Sequence, residues 1–104
     1  MEMSTTILER ARAYREETAR VLSDLVKITS YSGKEEAVCR RIVEMCEGYG
    51  FDEVRIDGLG SVIARVGNGP RKLAIDGHID TVEVGDPDAW NKDPFSGEIA
   101  DGLV

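Results

Sequence analysis

The chain of 104 residues has the length of one small domain, which limits the hydrophobic core that it can bury. Its apolar share of 41% and charged share of 32% are ordinary for a soluble globular protein. Its formal net charge of −7 argues against nucleic acid as a partner, because phosphate binding requires clustered Lys and Arg on one face.

The sequence also predicts where the protein resides. Its apolar runs are all shorter than the roughly 20 residues that a membrane span requires, so no membrane association is expected. The first residues lack the basic region and apolar core of a signal peptide. Cys39 and Cys46 are expected about 10 Å apart along one helix, too far to form a disulfide. Unpaired thiols without a signal peptide predict a cytoplasmic location.

Two helices are predicted in the first half of the chain. Apolar residues recur in steps of three and four over residues 4–28, which predicts one long helix with an apolar stripe packed on a sheet. The order Ser32-Gly33-Lys34-Glu35 predicts a capping box, with Ser32 at the N-cap of the second helix. Gly48 and Gly50 mark the end of that helix.

The second half of the chain alternates as strands do. Residues 53–57 and 61–66 predict a hairpin around the Gly58-Leu59-Gly60 turn, and the apolar centre of residues 72–76 predicts a third, buried strand. Residues 98–104 predict a strand, an Asp-Gly turn and a second strand. The fold class is therefore α/β, with two amino-terminal helices packed on the start of a mixed β-sheet.

A loop is predicted between the third strand and the last hairpin, over residues 83–96. Trp90 and Phe95 stand out in it, and we expect them to anchor the loop, with contact to a substrate as the alternative. The aspartates of this region lack the order and the terminal Glu of an EF-hand, so solvated loop charges are expected rather than a calcium site.

The strongest chemical signal follows the predicted third strand, in Asp76-Gly77-His78-Ile79-Asp80-Thr81-Val82. His78 is the only histidine, and in extended backbone it projects on the same side as Asp80. A histidine that binds a metal usually donates its other ring N–H to a carboxylate or carbonyl. The pair could therefore supply a metal ligand and the group that orients it. Taken alone, however, a single histidine beside a carboxylate is more often an ordinary hydrogen-bonding residue.

The same run resembles a known family over nearly the whole chain. Residues 77–82 resemble the first signature of the metallo-hydrolases that include acetylornithine deacetylase, succinyl-diaminopimelate desuccinylase, aminoacylase and several carboxypeptidases. Residues 30–35 (Ser-Tyr-Ser-Gly-Lys-Glu) and the pair Gly50-Phe51 match its earlier segments, and residues 90–95 resemble its Trp-x-x-x-Pro-Phe loop. Residues 101–104 look like the approach to its second metal motif.

Two details refine this resemblance. Gly85-Asp86-Pro87 and the Trp90 loop are most similar to a bacterial subgroup described as selenium-metabolism-linked hydrolases. Gly60-Ser61 departs from the Gly-Asn that is common in relatives, which concerns only the turn. The resemblance implies a zinc-exopeptidase-like catalytic domain.

The resemblance also implies a mechanism and a cofactor. His78 would bind one zinc of a two-metal centre, with cobalt or manganese as alternatives, and Asp80 would be the catalytic-site carboxylate that orients His78. The implied reaction is hydrolysis of an amide bond in an N-acyl amino acid or small peptide, and the choice between peptidase and deacylase stays open. Family dimers form through a second domain, so a homodimer is an open alternative for the full-length enzyme.

The remaining ligands that the resemblance implies would follow Val104. Residues 1–104 are therefore expected to be the truncated amino-terminal part of the catalytic domain, inactive and a poor zinc binder alone, because a zinc site needs at least three protein ligands. The alternative is a stand-alone binding or regulatory module that keeps the front of the fold without catalysis.

Overall fold

The computed structural model describes residues 2–104, which contain three α-helices, a two-stranded sheet and one short 3₁₀ helix. The helices are α1 (Glu2–Ala13), α2 (Arg15–Val26) and α3 (Glu36–Gly48), and the strands are β1 (Glu53–Ile56) and β2 (Val62–Arg65). The predicted α/β class is confirmed. The chain forms two compact units, one of the residues up to Ile28 with Gly85–Val104, and one of Thr29–Val84.

The unit Thr29–Val84 is built around α3 and the hairpin of β1 and β2. The strands pair antiparallel with Glu53 opposite Arg65, as the alternating pattern predicted. Helix α3 packs against both strands and contributes Val38 and Cys39, the buried apolar side chains of the described chain. Burial of these side chains holds the helix on the hairpin.

Glycines lie at the end of α3 and in the turn between β1 and β2. Helix α3 ends at Gly48, and Gly50 takes a left-handed φ of 75°, which a residue with a side chain adopts at a cost. At the hairpin turn, Oδ1 of Asp57 accepts hydrogen bonds from the backbone N–H groups of Leu59, at 2.9 Å, and Ser61, at 3.0 Å. Local chemistry therefore fixes the end of α3 and the turn between β1 and β2.

The third strand was predicted wrongly. Residues 72–76 have no strand partner within the described chain, and Leu73 and Ile75 are 89% and 90% exposed. An apolar run indicates that a segment favours burial. A strand also requires a neighbouring strand to pair its backbone hydrogen bonds. The site that follows is thus attached to an exposed extended segment rather than to the end of a buried strand.

The second unit contains α1, α2 and the last twenty residues, Gly85–Val104. The single helix predicted over residues 4–28 is divided at Tyr14, whose ψ of 2° leaves the helical region although Thr18 N still donates to Tyr14 O at 2.8 Å. The apolar stripe is not buried on α1, where Ile7 is 63% exposed. The expected packing of this stripe was therefore wrong for α1.

The carboxyl-terminal segment of this unit is mostly irregular. Its 3₁₀ helix, Pro87–Ala89, begins at Asp86, whose side chain accepts from Asp88 N at 3.0 Å. The predicted Asp-Gly turn forms, with φ of 55° at Asp101 and 78° at Gly102, but the flanking strands amount to one bridge between Ala100 and Leu103. Within residues 2–104, every helix is too short or too polar to cross a bilayer.

Candidate functional site

The predicted site residues lie in the unit Thr29–Val84, on a segment held by the loop before α3. Tyr31 and Thr81 form a parallel bridge, in which Thr81 N donates to Ser30 O at 2.9 Å and Ser32 N donates to Thr81 O at 3.3 Å. The hydroxyl of Ser30, which is 4% exposed, also donates to Ile79 O at 3.1 Å. These bonds fix the backbone of residues 79–81 against residues 30–32.

His78 and Asp80 are brought together as the spacing predicted. Nδ1 of His78 lies 3.0 Å from Oδ1 of Asp80 and 3.1 Å from the Asp80 carbonyl oxygen. A carboxylate and a carbonyl can only accept, so Nδ1 carries the proton in the neutral ring. Nε2 then keeps its lone pair, and the His78 side chain is 86% exposed. This is the arrangement that a metal-binding histidine adopts.

The second carboxylate oxygen of Asp80 is hydrogen-bonded to Ser32. The Ser32 hydroxyl donates to Oδ2 of Asp80 at 2.6 Å, a short charge-assisted bond. The hydrogen bond from Ser32, and then that from His78, lower the pKa of the Asp80 carboxyl below its ordinary value. Asp80 is therefore ionised at neutral pH and acts as an acceptor for both neighbours.

The capping box predicted for α3 does not form. The N-cap position of α3 is taken by Glu35, and Ser32 lies three residues before it with its hydroxyl on Asp80. The Glu35 side chain instead turns back and accepts from Gly33 N at 2.9 Å. Ser32 was predicted to accept from a backbone N–H of the helix, whereas its hydroxyl donates to a side chain 48 positions away.

The order of the three side chains limits the chemistry that they can perform. In a serine hydrolase, the nucleophilic hydroxyl donates to the imidazole and the carboxylate orients the far side of the ring. Here the carboxylate of Asp80 lies between Ser32 and His78. The Ser32 proton is directed at the carboxylate, so the geometry does not activate this hydroxyl as a nucleophile.

An open groove of ≈780 Å³ adjoins His78 and Asp80. One wall is the face of α3 with Cys39 and Cys46, and the other walls are the hairpin and residues 75–80. Burial, and for Cys39 also the nearby Glu35 carboxylate, raises the pKa of both thiols, so they stay protonated at neutral pH. A protonated thiol is a weak nucleophile, so neither cysteine is poised for nucleophilic catalysis.

The described residues supply only part of the ligands that a zinc site needs. Within residues 2–104, no group of three or more His, Cys, Asp or Glu side chains is arranged to hold a metal ion. A zinc site requires at least three protein ligands. His78 with Asp80 fits one ligand and its orienting partner, and the described chain does not fit a complete metal centre.

Trp90 and Phe95 lie in the other unit, on the segment that follows the 3₁₀ helix. Trp90 is 50% exposed, and its backbone N–H donates to Pro87 O at 3.2 Å. Phe95 is half-buried, and its N–H donates to Oδ1 of Asp93 at 2.9 Å. These contacts hold the loop locally, and the choice between anchoring and substrate contact stays a prediction.

Comparison with known proteins finds relatives among curated bacterial proteins. The matches include enzymes named as desuccinylases. Succinyl-diaminopimelate desuccinylase of Cereibacter sphaeroides is 42% identical over 86 residues, which is 79% of this chain and 23% of that protein. A probable succinyl-diaminopimelate desuccinylase of Staphylococcus epidermidis is 35% identical over 88 residues, covering 82% of this chain and 22% of that protein.

An uncharacterized Escherichia coli protein, YgeY, is 45% identical over 98 residues, or 94% of this chain and 24% of that protein. The chain thus spans about a quarter of the length of the curated relatives that it matches. No family model matches the chain. No solved structure matches it either.

Proposed function

We propose that this chain is part of a metal-dependent hydrolase that cleaves an amide bond in an N-acyl amino acid or small peptide. The observation that carries the proposal is the His78–Asp80 pair, in which Nδ1 lies 3.0 Å from the carboxylate and the His78 side chain is 86% exposed. His78 is the proposed metal ligand and Asp80 the catalytic-site carboxylate that orients it. The names of the desuccinylase relatives support the substrate class, because removal of a succinyl group from diaminopimelate breaks an amide bond.

The metal of the proposed enzyme is zinc, two ions per active site, with cobalt or manganese as alternatives. When bound, such a centre polarises the scissile carbonyl and lowers the pKa of a water molecule. The contribution of this chain is narrower: Asp80 accepts the hydrogen bond from Nδ1 and orients the ring, which leaves Nε2 as the ligand atom. The other ligands are proposed to come from residues outside this sequence, so residues 1–104 alone are expected to be inactive.

Finer assignments belong to the same proposal. Gly85-Asp86-Pro87 and the Trp90 loop favour the selenium-metabolism-linked subgroup, and the chain is proposed as the amino-terminal part of a zinc-exopeptidase-like catalytic domain. The proposed location is the cytoplasm, and the proposed partner is a small-molecule or peptide substrate rather than nucleic acid or a membrane. A homodimer of the full-length enzyme remains an alternative to a monomer.

The test is hydrolysis of N-succinyl-diaminopimelate and of N-acetyl amino acids by the full-length gene product. His78→Ala is expected to abolish turnover, because it removes the ligand that Asp80 orients. Asp88→Ala, which changes an exposed aspartate of the loop, is the matched control and is expected to retain turnover. Normal turnover by His78→Ala would contradict the site assignment. Absence of turnover in the unsubstituted full-length protein would favour a binding module without catalysis.

A further inference from the structure

We propose that Ser32 is a positioning residue whose hydroxyl holds Asp80, so that Asp80 in turn fixes the tautomer and orientation of His78. The use of that orientation for metal binding rests on the proposed function. The hydrogen-bond relay itself does not, and it can be tested in the 104-residue chain.

The geometry of the relay is continuous. Ser32 Oγ donates to Oδ2 of Asp80 at 2.6 Å, and the other oxygen, Oδ1, lies 3.0 Å from Nδ1 of His78. The two oxygens of one carboxylate are thus divided between the two neighbours. A carboxylate bound on both oxygens cannot rotate about its side chain without breaking a short charge-assisted bond.

The side chains that the relay orders are exposed, and apart from the relay His78 has one contact, between Nδ1 and the Asp80 carbonyl oxygen at 3.1 Å. The His78 side chain is 86% exposed and that of Asp80 is 42% exposed, so packing does not select their rotamers. Fixing one rotamer of an exposed side chain costs conformational entropy, and specific hydrogen bonds must offset that cost. Ser32 supplies one from a backbone that is itself fixed.

The backbone of this region is fixed by other groups than the Ser32 hydroxyl. Ser30 Oγ donates to Ile79 O, Thr81 N donates to Ser30 O, and Ser32 donates through its backbone N–H to Thr81 O. None of these three bonds uses the Ser32 hydroxyl. Ser32→Ala is therefore expected to free the Asp80 side chain while residues 30–32 stay attached to residues 79–81.

The experiment uses the fact that His78 is the only histidine, so that one imidazole contributes to the ¹⁵N spectrum. At about pH 9, where histidine side chains are neutral, the Nδ1 and Nε2 shifts report the tautomer ratio. The unsubstituted chain is expected to hold the Nδ1–H form. Ser32→Ala is expected to raise the share of the Nε2–H form by about threefold or more, as one charge-assisted bond of the relay is lost.

Two variants separate positioning from a structural role. Ser32→Thr keeps the hydroxyl and is expected to restore the tautomer ratio of the unsubstituted chain. Ser96→Ala removes a serine hydroxyl that accepts from Glu98 N at 3.2 Å, and it is expected to leave the ratio unchanged. Backbone amide spectra of each variant report whether the fold is retained.

An unchanged tautomer ratio in a folded Ser32→Ala chain overturns the proposal. If Ser32→Ala does not fold, the test moves to the unsubstituted chain, where nuclear Overhauser contacts between the β protons of Ser32 and Asp80 are expected. Absence of those contacts also overturns it. Because neither readout requires a metal or turnover, failure of this proposal is distinguishable from failure of the proposed hydrolase activity.

Discussion

Gly97 is the glycine of the described chain at which an added Cβ meets close neighbours. Its φ is +63°, and a Cβ built there would lie 2.6 Å from the carbonyl oxygen of Ser23 and 2.7 Å from Ser23 Oγ. The buried Ser23 hydroxyl donates to Gly97 O at 2.5 Å, so the methyl group would also press on that bond. Only glycine allows this close approach between α2 and the carboxyl-terminal segment.

Gly97→Ala is therefore expected to lower the free energy of unfolding by about 2–4 kcal/mol, the sum of a left-handed alanine and an overpacked contact. Urea denaturation followed by circular dichroism measures the loss. Gly102→Ala is the matched control: its φ is +78° but the space around it is open within 4 Å. Only the backbone cost of about 1 kcal/mol applies there. Equal losses in the two variants would contradict the steric account.

At the residue scale, the sequence predicted the pairing of His78 and Asp80 because alternation along extended backbone is a local rule. It misplaced the Ser32 hydroxyl for the same reason. A Ser followed three residues later by Glu fits the local capping pattern, whereas the bond to Asp80 depends on a bridge between segments 48 positions apart. The functions of His78 in metal binding and of Asp80 in catalysis stay predictions.

At the scale of elements, the hairpin of β1 and β2 depends on the side chain of Asp57. Oδ1 of this residue accepts from two backbone N–H groups of the turn, at Leu59 and Ser61. Such a carboxylate replaces the backbone partners that a tight turn cannot provide. The turn is therefore expected to be more sensitive to Asp57 than to its exposed leucine.

Asp57→Ala is expected to lower the free energy of unfolding by about 1–2 kcal/mol, since two turn hydrogen bonds lose their acceptor. Asp57→Asn keeps a side-chain oxygen at the same position and is expected to recover more than half of that loss. Urea denaturation gives the energies, and amide hydrogen exchange at Leu59 and Ser61 shows whether the loss is local. Unchanged exchange at both amides in Asp57→Ala would refute this account.

The elements that were predicted well are those fixed by neighbours in sequence. The hairpin, the carboxyl end of α3 and the Asp101-Gly102 turn each carry their own turn chemistry. Residues 72–76 were predicted wrongly because a strand also depends on a partner that local composition does not specify. The break between α1 and α2 at Tyr14 was missed because residues 4–28 contain no Pro or Gly that would have indicated it.

At the scale of the whole molecule, the chain exposes apolar side chains that an independent domain normally covers. Leu59, Leu73, Ile75 and Val82 are all more than 80% exposed, and they belong to the unit that carries His78. Large apolar side chains at this exposure are available for contact with other parts of a protein. Together with a metal-ligand pair that is not completed within residues 2–104, this exposure supports the proposal that further residues complete the site.

The central claim is that His78 supplies one ligand of a metal centre, and the most direct test is the metal content of the full-length gene product. Mass spectrometry of the purified protein is expected to give about two zinc ions per chain, the stoichiometry of a two-metal hydrolase site. His78→Ala is expected to lose one of them, with Asp88→Ala unchanged as the control. Equal zinc content in the unsubstituted protein and the folded His78→Ala variant would contradict the claim.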